Sequence, residues 1–272
     1  MGTFLFKLIL SPLLIGAVSL VGRRWGPAVS GWLVGLPLTS GPVVLFLALD
    51  QGPAFAAASA HAIMLGIISV GVFCLTYSRL ARRWPWPPVL GAGWLSVLVS
   101  TWLLNGIAVA LLPAFAAVVL ILGGVLKGLP APAGPLPAAV APRWDLPLRM
   151  VVAAGFVLAI TGLAQVLGPH LSGLLAPFPI FASILGVFTH RFQGAAVTAN
   201  LLRGVVLGSF SFAGFFLVVA ALLPHTGIVL TFLCATVVAL TMHGGSLWLL
   251  HHHRGPPPLP APAPKGASKE PP

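Results

Sequence analysis

A chain of 272 residues that is 58% hydrophobic and only 6% charged, with a mean hydropathy of +1.05, carries more apolar surface than a soluble domain can bury. Its apolar runs are continuous rather than alternating, which excludes a membrane β-barrel and predicts an all-α, polytopic membrane helix bundle. The 14 Lys and Arg against 3 Asp and Glu give a formal charge of +11; in a membrane protein that excess marks cytoplasmic loops, so the partner is the lipid bilayer and not nucleic acid.

Apolar periods and Pro/Gly punctuation predict nine transmembrane spans. The first, 4–22, lacks an A-x-A cleavage pattern and is followed by Arg23-Arg24, so it reads as a retained helix rather than a signal peptide. The second, 30–49, holds Pro37, Thr39, Ser40, Gly41 and Pro42 in its middle. The third is 54–78. The apolar run 89–127 is too long for one helix and carries the turn signal Asn105-Gly106, which divides it into spans 89–105 and 107–127. A Pro/Ala-rich stretch, 129–147, reads as an extended cytoplasmic linker. Spans 148–167, 171–190, 195–222 and 226–250 follow, and the Pro-rich tail 254–272 has too little bulk to fold.

Charge supports this count. With nine spans and the N-terminus outside, twelve of the 14 basic residues fall on the cytoplasmic side, Arg203 lies within a span and only Lys7 is left outside. The C-terminus is then cytoplasmic. Cys74 and Cys234 both sit in apolar runs, so no disulfide framework is expected.

Sliding the sequence by 142 residues places 25–66 on 167–208 without a gap, and thirteen of the 42 pairs are identical, among them Gly-Pro at 26–27 and 168–169 and Gln-Gly at 51–52 and 193–194. The organisation expected is a first repeat over 1–106 (spans 1–4), a connector span over 107–128, the linker 129–147, a second repeat over 148–253 (spans 6–9) and the tail. An odd number of spans separates equivalent helices, so the two repeats insert upside down relative to each other. Inverted repeats with a Pro/Gly-interrupted helix at matching positions of both halves point to the binding site of a secondary transporter. Spans 2 and 7 supply that pair, with Pro37 and Pro42 in one and Pro177 and Pro179 in the other. Pro37 is expected to release the carbonyl of Leu33, and Ser40-Gly41-Pro42 reads as a cap and first turn of a new half-helix. Broken backbone survives at membrane depth only against protein or an aqueous cavity.

The substrate-binding residues expected are Pro37, Thr39, Ser40, Gly41, Pro42, His61, Pro177, Pro179, Ser183, Arg203 and His243. His61 and Arg203 occupy equivalent repeat positions, and His243 is the equivalent of Thr101. Each of these polar groups also has a plainer reading. Arg203 can snorkel to the interface, and the histidines can hold helices together through hydrogen bonds. The pairs Gly31/Gly35 and Gly204/Gly208 suit close helix packing. No carboxylate lies in a predicted membrane core, which argues against an organic-cation substrate and for a small neutral or anionic solute. The triplet His251-His252-His253 fits an interfacial anchor better than a metal site, and no catalytic motif, metal site or cofactor is expected.

The stretch SGLLAPFPIFASILGVFTHRFQGAA in the second half resembles the GlpM-like small inner-membrane proteins, which carry a similar G-L-x-P-x-F-P-x-F-A signature. The resemblance implies a bacterial cytoplasmic membrane protein, built here as a fused inverted duplication in the manner of the drug/metabolite transporter superfamily. The first half departs from the signature: LVGLPLTSGP keeps one of the two prolines in register. On residues alone the leading expectation is a secondary transporter. A non-transporting scaffold or assembly factor that holds a protein partner through its Pro-rich tail is the alternative, and a metal-dependent intramembrane enzyme a distant third. A homo-oligomer is compatible with any of these.

Overall fold

The computed structural model describes residues 2–37, 40–105, 109–131, 144–152, 154–155 and 178–252; of these 88% are helical and none lies in a strand. The helices are α1 (Gly2–Trp25), α2 (Pro27–Val34), α3 (Ser40–Gln51), α4 (Pro53–Leu80), α5 (Trp86–Asn105), α6 (Leu111–Gly128), α7 (Ile180–Gln193), α8 (Ala195–Leu222) and α9 (Ile228–His252), with further helical turns over 145–152. The run 89–127 is indeed two helices, α5 and α6. Five helices (α4, α5, α6, α8 and α9 as far as Ser246) are long and apolar enough to cross a bilayer, the make-up of a multi-pass membrane protein. Most of the span expected over 148–167, the first part of that over 171–190, the core of the Pro/Ala linker and the tail lie outside the described residues.

Glycine and proline set the helix boundaries. Gly26, Gly52 and Gly194 have φ of +97°, +92° and +86°, a region that a Cβ makes costly. Pro27 and Pro53 follow in the first turn, where the missing N–H would have had no helical partner anyway. Pro87 and Pro88 open α5 and Pro113 opens α6 in the same way.

Two stretches of the chain share one plan. α4 and α8 are both 28 residues long and begin at 53 and 195, the separation found in the sequence register. α3 and α7 end on Gln51 and Gln193, each followed by a positive-φ glycine, and α5 and α9 begin at 86 and 228. Around α4 pack α3, α5 and α6; around α8 pack α7, α9 and α2; and α4 and α8 pack on each other.

The direction of each helix can be read from its contacts. Gly31 of α2 sits against the backbone of Leu201 and Val205, and Gly35 against that of Gly208. These pairs advance together along both chains, so α2 and α8 run parallel. A methyl group on Gly31, Gly35, Gly204 or Gly208 would overlap backbone of the facing helix, so this seam is the close approach that small residues permit. α4 runs the opposite way to α8. Gly186 of α7 faces both Tyr77 and Leu202, which fixes those two at one level, whereas Ile67 and Val70 share a cavity with Ser209 and Phe212.

α4 and α8 are the inner pair, mostly buried. The flanking helices α5, α6 and α9 turn Trp102, Leu112, Leu120, Val229 and Leu233 outward, a surface that suits acyl chains and that a soluble protein could not carry.

Candidate binding cavity at the helix breaks

The α2–α3 break and the non-helical entry to α7 reach one cavity. It measures about 130 Å³, and its wall includes Leu33–Leu36 and Ser40 from the α2–α3 break and Phe178–Ala182 from the entry to α7. Leu14 and Val18 of α1, Ile67 and Val70 of α4, and Val205, Ser209 and Phe212 of α8 complete it. The wall is mainly aliphatic and aromatic. Its side-chain polar groups are the hydroxyls of Ser40 and Ser209, and Ser209 donates to the Val205 carbonyl of its own helix at 2.8 Å.

The first break is milder than the proline alone implies. Pro37 cannot donate to Leu33, but the carbonyl of Leu33 accepts from Leu36 N–H and that of Trp32 from Gly35 N–H, both at 3.1 Å. The last turn of α2 has tightened to i→i+3 pairing, so the expected free carbonyl at Leu33 is satisfied locally. Ser40 is the first residue of α3 rather than its cap, and Gly41 N–H bonds the Pro37 carbonyl at 2.8 Å. At the second break Ser183 N–H bonds the Pro179 carbonyl at 2.8 Å.

Of the expected site residues, the structure brings Ser40 and Pro179 together in the cavity wall, while Pro37, Gly41, Pro42, His61, Ser183, Arg203 and His243 are not in it. Thr39 and Pro177 lie outside the described residues. Gly41 faces the Phe215 ring, and Ser183 accepts from the Trp94 indole N–H at 3.1 Å, tying α7 to α5. Arg203 donates from Nη1 to the Leu126 carbonyl at 3.3 Å. That oxygen is among the last four of α6, where a helix has no N–H of its own to offer and carries its negative end, so the guanidinium caps α6. His61, the repeat equivalent of Arg203, is half-buried on α4, and its Nε2 has no partner among the described residues.

His243 sits beside the α2–α8 seam rather than in the cavity. Its ring stacks on Trp32 at 3.6 Å between centroids and 19° between planes, and its Nδ1 lies 2.9 Å from the Ser211 hydroxyl. The Trp32 indole N–H donates to Ser246 at 2.8 Å, and Ser246 donates back to the His243 carbonyl at 2.8 Å. Trp32 thus ties the last turn of α2 to α9, one turn from the cavity wall at Gly35.

Sequence reasoning missed a second buried polar cluster. Asp145, 1% exposed in the stretch read as a linker, bonds Arg23 at the end of α1 at 3.2 Å and Arg149 at 3.1 Å. Arg149 is itself buried and lies over the Phe188 ring of α7. The missed Ser69–Thr101 and Ser211–His243 bonds had a signal. Ser69 and Ser211 are identical residues three positions beyond the aligned window.

Compared with known proteins, the chain matches no family, no curated protein and no solved structure.

Proposed function

We propose that the chain is a secondary transporter of a small neutral or anionic solute, working by alternating access around its broken helices in a bacterial cytoplasmic membrane. One observation carries the reading: the α2–α3 break and the Phe178–Pro179 entry to α7 line the same cavity between the inner helices α4 and α8. Interrupted backbone is expensive in lipid, and non-helical backbone from two distant stretches of chain beside one cavity supports a binding site at an inverted-repeat interface.

The shared element boundaries of 53–80 and 195–222, and the opposite directions of the helices that occupy them, support an inverted duplication. In that arrangement α2 and α3 form one broken span. With crossings over 148–167 and 171–190 the count is nine, with the N-terminus outside and the C-terminus in the cytoplasm. The GlpM-like resemblance of the second half agrees with such a unit. The absence of a charged side chain among the described wall residues favours the neutral end of the substrate range.

The test is counterflow of a panel of small neutral and anionic solutes in liposomes containing the full-length protein. Leu36→Trp fills the cavity and is expected to abolish uptake of any solute the unmodified protein carries. Thr236→Ala, exposed on α9 with its hydroxyl bonded only to its own helix, is expected to leave it within about twofold. Uptake that survives Leu36→Trp unchanged rules the cavity out as the path.

A further inference from the structure

We propose that His243 is the proton-binding site of the transport cycle, its Nε2 being a buried base whose occupancy decides whether α2 stays docked on α9. This rests on the transporter reading and names its coupling ion.

The tautomer follows from the hydrogen bonds. The Ser211 hydroxyl has two acceptors in reach, the Gly208 carbonyl at 3.0 Å and His243 Nδ1 at 2.9 Å. Assigning its proton to Gly208 lets the Ser211 oxygen accept from Nδ1–H and spares the ring a buried Nε2–H with no acceptor, so we assign the hydrogen of the neutral ring to Nδ1. That leaves Nε2 with its lone pair free. Nε2 is buried and has no hydrogen-bond partner among the described residues, in a residue 3% exposed. A fully satisfied structural histidine would have both nitrogens engaged. The matching position in the first repeat holds Thr101, bonded to Ser69 at 3.0 Å, which makes the same helix-to-helix link without a titratable group. The link to the inner helix alone therefore does not require an imidazole, although the ring also carries the stack on Trp32.

Among the described residues, nothing else on the elements packed against His243 competes for the proton. α2 carries no titratable residue. α8 carries Arg203, engaged at the end of α6. α3 carries Asp50, exposed near its far end. On α9 itself Cys234, His251 and His252 stand two turns or more away along the helix.

When Nε2 takes a proton from water, an N–H bond forms at its lone pair and the ring gains one positive charge. In the packed arrangement that new N–H has no acceptor. Water or a polar group must reach it, and the seam that Trp32 closes over the ring can open without unfolding α9. Because Trp32 lies one turn from Gly35 and Leu36, loosening it moves the cavity wall.

The experiment uses full-length protein in liposomes with Cys74→Ala and Cys234→Ala, and a cysteine placed by Leu36→Cys to report access to the cavity by a membrane-impermeant maleimide. In parallel, 15N-histidine spectra of the full chain follow His243, assigned by its loss in His243→Gln. As the pH is lowered through and below about 6.5 the His243 signals should change from a neutral to an imidazolium pattern. The labelling rate should shift at least about threefold with the same midpoint, the response expected when protonation redistributes two states. His243→Gln should abolish that pH response. The proposal is overturned if His243 stays neutral throughout, if it titrates while labelling does not change, or if the pH response persists in His243→Gln. Labelling that is accessible but indifferent to pH sinks only the proton site. A position 36 that no reagent reaches from either side at any pH removes the transporter reading with it.

Discussion

Ser211 on α8 and His243 on α9 are joined at 2.9 Å, and 142 residues earlier Ser69 on α4 and Thr101 on α5 are joined at 3.0 Å. The same bond occurs twice because each inner helix is held to its outer neighbour at the same turn. The two are not equal in cost. Without Ser69, the Thr101 hydroxyl can turn to a carbonyl of its own helix, so Ser69→Ala should cost about 0.6 kcal/mol, the average for such bonds between membrane helices. Without Ser211, the Nδ1–H of a buried ring has no acceptor, and Ser211→Ala should cost about 1–3 kcal/mol. SDS-driven unfolding of the two variants in mixed micelles measures the difference, and equal losses would mean that His243 finds another acceptor.

The α2–α8 seam makes a sharper demand. Gly35 and Gly208 face each other's backbone, so a methyl group on either must push the helices apart rather than turn a side chain aside. Gly35→Ala and Gly208→Ala should each cost about 1–3 kcal/mol by overpacking. Gly123 on α6, with nothing within 4 Å of where its Cβ would stand, is the control. Its replacement by Ala should be neutral or stabilising by up to about 1 kcal/mol through helix propensity. The same unfolding titration ranks all three.

Gly52 and Gly194 test whether the two halves share backbone geometry as well as boundaries. Both hold positive φ with open space around the missing Cβ, so a side chain there meets only its own backbone. With ψ of 164° and 175° both lie in a region that essentially only glycine occupies, so Gly52→Ala and Gly194→Ala should cost the same, about 1–3 kcal/mol each. Asn at either position should cost as much as Ala, because its tolerance of left-handed backbone does not extend to this ψ. Thermal aggregation midpoints of detergent-purified variants check the order.

Much of this was legible in the chain because its signals are local. A Gly-Pro pair starts a helix whatever surrounds it, and Asn105-Gly106 does divide the long run that would otherwise read as one span. Small residues spaced four apart announce a close helix approach, and Gly31, Gly35, Gly204 and Gly208 meet as that spacing suggests. What stayed hidden depends on partners without a sequence signature. Arg203 finds a backbone carbonyl of α6, and no residue type advertises a free carbonyl. Pro37 removes one hydrogen bond, but the chain recovers the acceptor by tightening a turn, a choice made by geometry rather than composition. Trp32 showed nothing in sequence of its stack on a ring more than two hundred residues away.

Asp145 is the clearest case of a polar residue whose role its own neighbourhood concealed. Set among prolines and alanines it looks solvated, yet it is 1% exposed and bonds two arginines, one of them 122 residues distant. The partners differ in exposure, with Arg149 at 5% and the Arg23 side chain at 43%, and that decides the energetics. Removing the charge by Asp145→Asn strands a buried guanidinium beside Phe188 and should cost about 3–5 kcal/mol. Arg23→Gln removes a largely solvated partner and should cost about 1 kcal/mol or less. Because Asp145 tethers the end of α1 to the chain around Arg149, Asp145→Asn should also expose the peptide bonds near Arg149 to protease added to the detergent-purified protein. Wild-type resistance in that variant would mean that helix packing alone holds the two halves together there.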